Sequence, residues 1–307
     1  THQAPVGQIQ WNDNLATLYD NPGNVNGARW CSGTLISPNL FLTAGHCFDQ
    51  TGGGWQRPRR NGTTDIIEPA EIATNMHVNF NYQVDADGNL RIEQEFAIVE
   101  LVEYRLGGLD YAIVRLDGDP GDIFGWTEIA STDAEEEDML CIIQHPAGLP
   151  KRIEAGPAFH FHDSRIGYDS IDTLGGSSGS GILRASDGRI VGVHTHGGCD
   201  DAANSHNHGQ RISSLTQSSP ILLQLRTPKP VDFRTRTISI PSGTGRRSIQ
   251  GNVTFDTRVL KAGVALNGYK LDFANTDKHI NTIEADTDIV SIANNRVTFR
   301  VECNYAD

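Results

Sequence analysis

The sequence has no long hydrophobic run and a deficit of basic side chains. Its apolar stretches are only a few residues long, far short of the roughly 20 that a membrane-spanning helix needs. We therefore expect a soluble chain without a membrane partner. Lysine and arginine number 25 against 38 aspartates and glutamates, which gives a net charge of −13. Nucleic acids and anionic membranes bind basic surfaces, so this balance argues against either as a partner.

Cysteine is scarce as well. Five cysteines are an odd number and too few for a disulfide scaffold, so a chain of 307 residues must rely on a buried core. One early pair is compatible with an oxidising compartment, and we expect a secreted protein, extracellular or periplasmic. The chain begins at Thr1 without methionine, and we expect that residues ahead of it were removed.

The most distinctive stretch is a run of glycine and serine over residues 175–181. Such residues cannot form a core and are poor helix and strand formers. A flexible linker is one interpretation. Apolar strand-like runs follow at 182–183 and 190–193, however, which is not typical of a linker. A serine nucleophile beside backbone N–H donors also requires small residues that allow close approach.

A histidine stands at the end of a predicted hairpin. The β-rich stretches 30–36 and 40–44 flank a Ser-Pro-Asn turn, and Gly-His46-Cys47 follows. Most isolated histidines are structural, but one held where a strand ends is a candidate general base. Cys47 can reach back across the hairpin to Cys31, and this disulfide would fix the backbone of His46. Two unpaired thiols are the alternative.

At these residues the chain resembles the trypsin-like (chymotrypsin-fold) serine peptidases. Cys-Ser-Gly-Thr-Leu at 31–35 and Leu-Thr-Ala-Gly-His-Cys at 42–47 match the histidine region of that family, including its cysteine pair. The resemblance extends over about residues 25–220. It implies an all-β fold with two six-stranded antiparallel β-barrels, a protein or peptide substrate and no cofactor.

The resemblance also implies a triad aspartate. Asp110 heads the apolar strand 111–116 after a Gly-Gly break, as the third member of the triad does in the family. If buried, it would accept a hydrogen bond from His46 and hold its tautomer. An aspartate at a strand start can also be only a turn residue.

Three serines compete as the nucleophile. The family pattern is Gly-X-Ser-Gly, and Ser178 alone has glycine both two residues before it and directly after it. The N–H groups of Gly176 and Ser178 would then form the oxyanion hole. The stretch departs from the family pattern at two positions: Ser177 replaces the usual Asp or Asn, and Gly181 replaces a common proline.

The glutamyl endopeptidases are the branch of the family that the chain resembles most. They have a threonine five residues before the nucleophile, here Thr173, and a histidine on the strand that lines the specificity pocket, here His194. A hydroxyl and an imidazolium could together receive a Glu or Asp side chain. Two alternatives stay open: His194 is a packed strand histidine, or Asp200 and Asp201 select Lys or Arg.

Three His-X-His pairs, at 160/162, 194/196 and 206/208, suggest an alternative metal site. A two-residue spacing places both rings on one face of a strand, which suits zinc. No cysteine or carboxylate repeats with the pairs, and we therefore expect no metal.

The sequence pattern of the C-terminal residues 232–307, here called the tail, predicts a second domain. We place the peptidase domain at 1–226, a proline-rich linker at 227–231 and a small β-sandwich at 232–307, from short alternating strands with turn signals. A phenylalanine strand, a Leu-Asn-Gly-Tyr turn and a closing Val-Thr-Phe strand resemble H-type lectin domains. Carbohydrate or surface binding is one hypothesis, and a structural or oligomerising module is another.

Together these patterns predict a secreted serine endopeptidase that forms an acyl-enzyme, with a preference for Glu or Asp. A Lys/Arg preference and an inactive peptidase-like binding protein are the alternatives. A lipase or esterase would carry its serine in an α/β pattern, and no such pattern surrounds residues 175–181.

Overall fold

The structure is a computed structural model that describes residues 2–52, 54–198, 206–226, 233–241, 245–256 and 282–306, with the isolated positions 243, 259, 262–266 and 268. The chain divides into two compact units, Thr1–Pro228 and Lys229–Asp307. The predicted linker 227–231 lies outside the described residues. No helix within the described ranges is long and apolar enough to cross a membrane.

The first unit begins with a closed barrel of six antiparallel strands. The strands run in the order β1-β2-β3-β6-β5-β4. Their bounds are β1 Val6–Trp11, β2 Arg29–Leu35, β3 Leu40–Thr43, β4 Met76–Phe80, β5 Gln94–Arg105 and β6 Tyr111–Leu116. The hairpin predicted at 30–44 is the β2–β3 pair.

Two glycines make room for the aromatic centre of this barrel. Gly7 and Gly33 face each other across the β1–β2 ladder. A Cβ on Gly33 would overlap the Phe41 ring, and one on Gly7 would overlap Val78 and press on Phe80. Phe41 and Phe80 meet edge to face with 5.9 Å between ring centroids.

The second sheet has seven strands in the order β8-β7-β11-β12-β13-β10-β9. They are β7 Met139–Gln144, β8 Arg152–Pro157, β9 His160–His162, β10 Arg165–Tyr168, β11 Gly181–Arg184, β12 Ile190–His196 and β13 Asn207–Arg211. The all-β two-sheet fold is confirmed, but this half differs from the six-stranded barrel that we predicted. The three-residue strand β9 adds to β10, and no ladder joins the edge strands β8 and β9 among the described residues.

Five short α-helices also occur among the described residues of this unit, and each ends within two turns. They are α1 Leu15–Leu18, α2 Pro69–Thr74, α3 Gly121–Phe124, α4 Ile212–Ser218 and α5 Pro220–Arg226. Pro69 opens α2 at a position where its missing N–H costs nothing.

The second unit holds a three-stranded antiparallel sheet in the order β14-β16-β15. Its strands are β14 Gly245–Thr254, β15 Thr282–Ala293 and β16 Arg296–Ala306. A sandwich needs a second sheet, and the described residues of this unit form only the one. Two of the short strands on which the sandwich prediction was based, 236–240 and 262–266, are described and lie in no strand of the structure.

Candidate active site

His46 and Asp110 are joined by two hydrogen bonds. His46 lies in the 3-10 helix Gly45–Phe48 that follows β3, and Asp110 directly precedes β6. The backbone N–H of His46 donates to Oδ1 of Asp110 at 2.8 Å, and Nδ1 of the ring lies 2.8 Å from Oδ2. This pairing makes Nδ1 the donor and leaves Nε2 with a lone pair that can accept a proton.

The Asp110 side chain is buried and ionised. Burial by itself would raise the pKa of the carboxyl, but the hydrogen bonds and charge of His46 outweigh it and hold the pKa below its usual range. Asp110 has φ of 34°, which is uncommon for a residue other than glycine. A carboxylate held in a strained backbone against an imidazole fits the orienting role expected of it.

A disulfide anchors the histidine, as the sequence predicted. Cys31 in β2 is bonded to Cys47, the residue after His46. Nε1 of Trp30 donates to the carbonyl of Cys47 at 2.9 Å. Cys141 and Cys303 are free, and Cys199 lies outside the described residues.

Ser178 lies on the loop between β10 and β11, and this loop packs against β2 of the barrel. The carbonyl of Ser178 accepts a hydrogen bond from the N–H of Ser32 at 2.9 Å. Sγ of Cys47 lies 4.0 Å from the same carbonyl, so Ser178 is close to the neighbour of His46. No hydrogen bond joins Oγ of Ser178 to His46 in the described part of the chain. Catalytic hydrogen bonds are often long before substrate binds.

The two glycines around Ser178 occupy positions that only glycine fits. Gly176 has φ of 98° and Gly179 has φ of 89°. A Cβ on Gly176 would lie 2.8 Å from the carbonyl of His145, and one on Gly179 would overlap Thr43 and Ser32. Within the described ranges, the N–H groups of Gly176 and Ser178 donate no hydrogen bond to the protein. Both remain available for a ligand oxygen.

His194 is enclosed, which is the arrangement of the packed strand histidine that the sequence left open as an alternative. It lies in β12 with 2% of its surface exposed, and its Nδ1 bonds the hydroxyl of Tyr168. Burial, with a smaller contribution from nearby imidazoles, lowers the pKa of His194 to about 3, so the ring is neutral near pH 7.

Thr173 lies beside the end of β12. Its Oγ1 is buried without a hydrogen-bond partner among the described residues. A Cβ built on Gly197 would be 3.7 Å from this oxygen, so the hydroxyl is near the residue that directly follows β12. Asp200 and Asp201, the basis of the Lys/Arg alternative, lie outside the described residues.

The His-X-His pairs contribute to a continuous row of rings that begins at His46. The row runs His46, His196, His208, His206 and His160. The distances between the centroids of successive rings are 5.8, 4.9, 6.1 and 4.8 Å. The row crosses the sheet because β12, β13, β10 and β9 are neighbours. Among the described residues, no group of three or more His, Cys, Asp or Glu side chains could hold a metal ion.

His196 is a member of this row that the sequence indicated only as a possible metal ligand and not as a neighbour of Asp110. Its Nδ1 lies 4.0 Å from Oδ2 of Asp110, the same oxygen that is hydrogen-bonded to the ring of His46. Burial lowers the pKa of His196 and Asp110 raises it, with a net lowering. The two-residue spacing placed His196 on one face of a strand, but the register that brings this strand to Asp110 is not visible in the sequence.

Comparisons with known proteins identify the family to which the chain is similar. A family model for the trypsin-like peptidase domain matches residues 31–193, which is more than half of the chain. The match includes Cys31, His46, Asp110 and Ser178.

Two curated relatives and one solved structure are similar over part of their length. "Secreted RxLR effector protein 73" of Plasmopara viticola is 27% identical over 189 residues, 58% of this chain and 44% of that protein. "Extracellular metalloprotease" of Bacillus subtilis (strain 168) is 24% identical over 222 residues, 65% of this chain and 59% of that protein. The chain thus spans about half the length of these relatives. A Glu endopeptidase solved in complex with MPD has 18% identity and a TM-score of 0.42, covering 73% of this chain and 88% of its own.

Proposed function

The chain belongs to the trypsin-like peptidase family, and we propose that it is a serine endopeptidase whose catalytic residues are Ser178, His46 and Asp110. The observation that carries this proposal is the pair of 2.8 Å hydrogen bonds from His46 to Asp110. One bond fixes the backbone of His46 and the other fixes its ring. The free Nε2 is then the atom available to accept a proton.

The proposed reaction has two halves. Oγ of Ser178 attacks the carbonyl carbon of the scissile peptide bond while its proton moves to Nε2 of His46. The oxyanion of the tetrahedral intermediate is bound by the N–H groups of Gly176 and Ser178, and Asp110 stabilises the imidazolium. The C–N bond breaks as His46 returns the proton to the leaving amine. Water then attacks the acyl-enzyme with His46 again as the base, which releases the acid and restores Ser178.

We propose a preference for Glu or Asp on the acyl side of the cut. The neutral His194 suits a donor role: if Nδ1 accepts the hydroxyl proton of Tyr168, Nε2 carries the ring proton and can donate to a carboxylate. Thr173 supplies a second donor, because its hydroxyl has no hydrogen-bond partner among the described residues. A buried carboxylate would also favour protonation of His194, which would strengthen the contact. A Lys/Arg preference is the alternative outcome.

Secretion and the role of the tail are part of the same proposal. The Cys31–Cys47 disulfide favours an oxidising compartment, and the names of the two relatives include "Secreted" and "Extracellular". We propose residues 232–307 as an accessory domain after the peptidase domain 1–226. Binding of the full chain to a glycan array would separate a carbohydrate-binding tail from a structural one.

Cleavage of a defined peptide library tests the function. The native chain should cut after Glu or Asp, and Ser178→Ala should lose at least about 10⁴-fold in kcat/KM. Thr173→Val keeps the side-chain shape without the hydroxyl, so it should reduce cleavage after Glu more than cleavage after an uncharged residue. Equal activity of native chain and Ser178→Ala would refute the mechanism, and cuts at unrelated side chains would refute the acidic preference.

A further inference from the structure

Ser32 is buried where the barrel meets the loop that carries Ser178. Its Oγ accepts a hydrogen bond from the backbone N–H of His145 at 2.9 Å. The same hydroxyl donates a hydrogen bond to the carbonyl of Gly176 at 2.8 Å. Its own N–H donates to the carbonyl of Ser178 at 2.9 Å. A single residue of β2 therefore joins two segments of the second sheet that are about 30 residues apart.

The peptide between Gly175 and Gly176 decides where the first oxyanion donor points. The C=O and N–H of a trans peptide point in opposite directions because the unit is planar. The N–H of Ala147 donates to the carbonyl of Gly175 at 2.6 Å, which turns the N–H of Gly176 away from Ala147. Gly176 has φ of 98°, and a glycine offers little intrinsic resistance to rotation of this peptide. Hydrogen bonds must therefore hold it.

Ser32 binds the peptide on the C-terminal side of Gly176. Its hydroxyl binds the carbonyl of Gly176, so both peptides that flank this glycine are anchored through their oxygens. The turn that supplies Ala147 is bound to the same hydroxyl through the N–H of His145. Ala147 itself has φ of 53°, a conformation that a residue other than glycine keeps only when its surroundings impose it.

We infer that Ser32 is a positioning residue for the oxyanion hole: its hydroxyl holds the 175–178 loop and the 145–148 turn so that the N–H groups of Gly176 and Ser178 face the substrate carbonyl. Ser32 does not contact the substrate. The inference rests on the proposed function, since an oxyanion hole matters only if Ser178 attacks a carbonyl.

Ser32→Ala tests this directly. We expect kcat on a peptide substrate to fall about tenfold with little change in KM, because a net hydrogen bond that serves the transition state is lost. A peptide aldehyde forms a tetrahedral adduct and should bind about tenfold more weakly, whereas the affinity of a product peptide should not change. Thr216→Val is the matched control, since its buried hydroxyl bonds the carbonyls of Ile212 and Ser213 within α4.

A second pair of variants covers a failure of Ser32→Ala to fold. Ser32→Thr and Ser32→Val have the same shape, and only the first keeps the hydroxyl. The threonine variant should bind the aldehyde about tenfold more tightly than the valine variant. Equal aldehyde affinities within this pair, or equal losses for aldehyde and product, overturn the inference. A native chain that cleaves no peptide overturns the proposed function, and the inference falls with it.

Discussion

Removal of the Cys31–Cys47 disulfide should destabilise the first unit by a predictable amount. The two cysteines are separated by 16 residues. Closing a loop of this length in the unfolded chain lowers its entropy by an amount equivalent to about 3 kcal/mol at 25 °C. For a folded unit of 150–250 residues this corresponds to a decrease in Tm of about 6–12 °C. The double variant Cys31→Ala/Cys47→Ala is therefore expected to unfold at lower temperature and lower denaturant concentration.

Tryptophan fluorescence is the appropriate probe for this measurement. All four tryptophans lie at or before residue 126, so their signal reports on the first unit and not on residues 229–307. Trp30 is bonded to the carbonyl of Cys47, which makes its emission sensitive to this region. Guanidinium unfolding of the native chain and the double variant should give similar slopes and different midpoints.

Cys141→Ala is the matched control. Cys141 is a free, half-buried thiol in β7, and burial raises its pKa above the usual range. Its replacement removes a partly buried sulfur without opening a loop, so the free energy of unfolding should change by much less than about 3 kcal/mol. An unchanged midpoint in the double variant, or an equal loss in Cys141→Ala, would show that the cross-link does not stabilise the fold by loop closure.

Three further predictions concern the site. Asp110→Asn should lower kcat about 10⁴-fold with a small effect on KM, because the amide can no longer hold the required tautomer of His46; a loss below tenfold in steady-state assays would contradict the triad. Burial lowers the pKa values of His145 and His194 to about 3, so the unfolded state binds more protons between pH 3 and 6.5. The free energy of unfolding should therefore be highest above about pH 6.5 and should decrease below that pH by up to about 1.4 kcal/mol per pH unit for each ring. His194→Gln should reduce this pH dependence in urea titrations. An unaltered dependence would mean that the ring of His194 is not buried in its neutral form. Tyr168→Phe should lower cleavage after Glu selectively, because Nδ1 of His194 loses its partner; a uniform loss at every cleavage site would argue against a role in specificity.

The hairpin and its histidine could be predicted from the sequence because both are local. Alternating β-formers around a Ser-Pro-Asn turn determine β2 and β3, and Cys31 and Cys47 lie within reach across that hairpin. The contact between His46 and Asp110 spans 64 residues. Only the family resemblance indicated it, since no local pattern encodes which strand ends meet.

The state of His194 could not be predicted because it depends on the environment that packing creates. Tyr168 lies 26 residues earlier, on β10, and its hydroxyl reaches the ring only after β13 has paired with both β10 and β12. The same pairing aligns His196, His208 and His160 into one row. The sequence shows each His-X-His pair, but a spacing of two residues does not specify the neighbouring strand.

The site combines groups from two sheets, and the loop that carries Ser178 contacts the barrel largely through backbone groups. His46 and Asp110 belong to the barrel, whereas Gly176 and Ser178 belong to the loop before β11. The loop is joined to the barrel by the N–H and hydroxyl of Ser32 and by a glycine that packs where any Cβ would overlap. Hydrophobic periodicity does not report such contacts, because none buries an apolar side chain.

This arrangement explains why the sequence does not identify Ser32 as a functional residue. A serine between Cys31 and Gly33 is an ordinary member of a β-strand, and its hydroxyl gains importance only from the carbonyl of Gly176, 144 residues later. Side chains that react are recognisable by residue type and motif. Those that orient backbone donors are recognisable only once the atoms they bind are known, and for that reason the supporting residues of an oxyanion hole must be found in the structure.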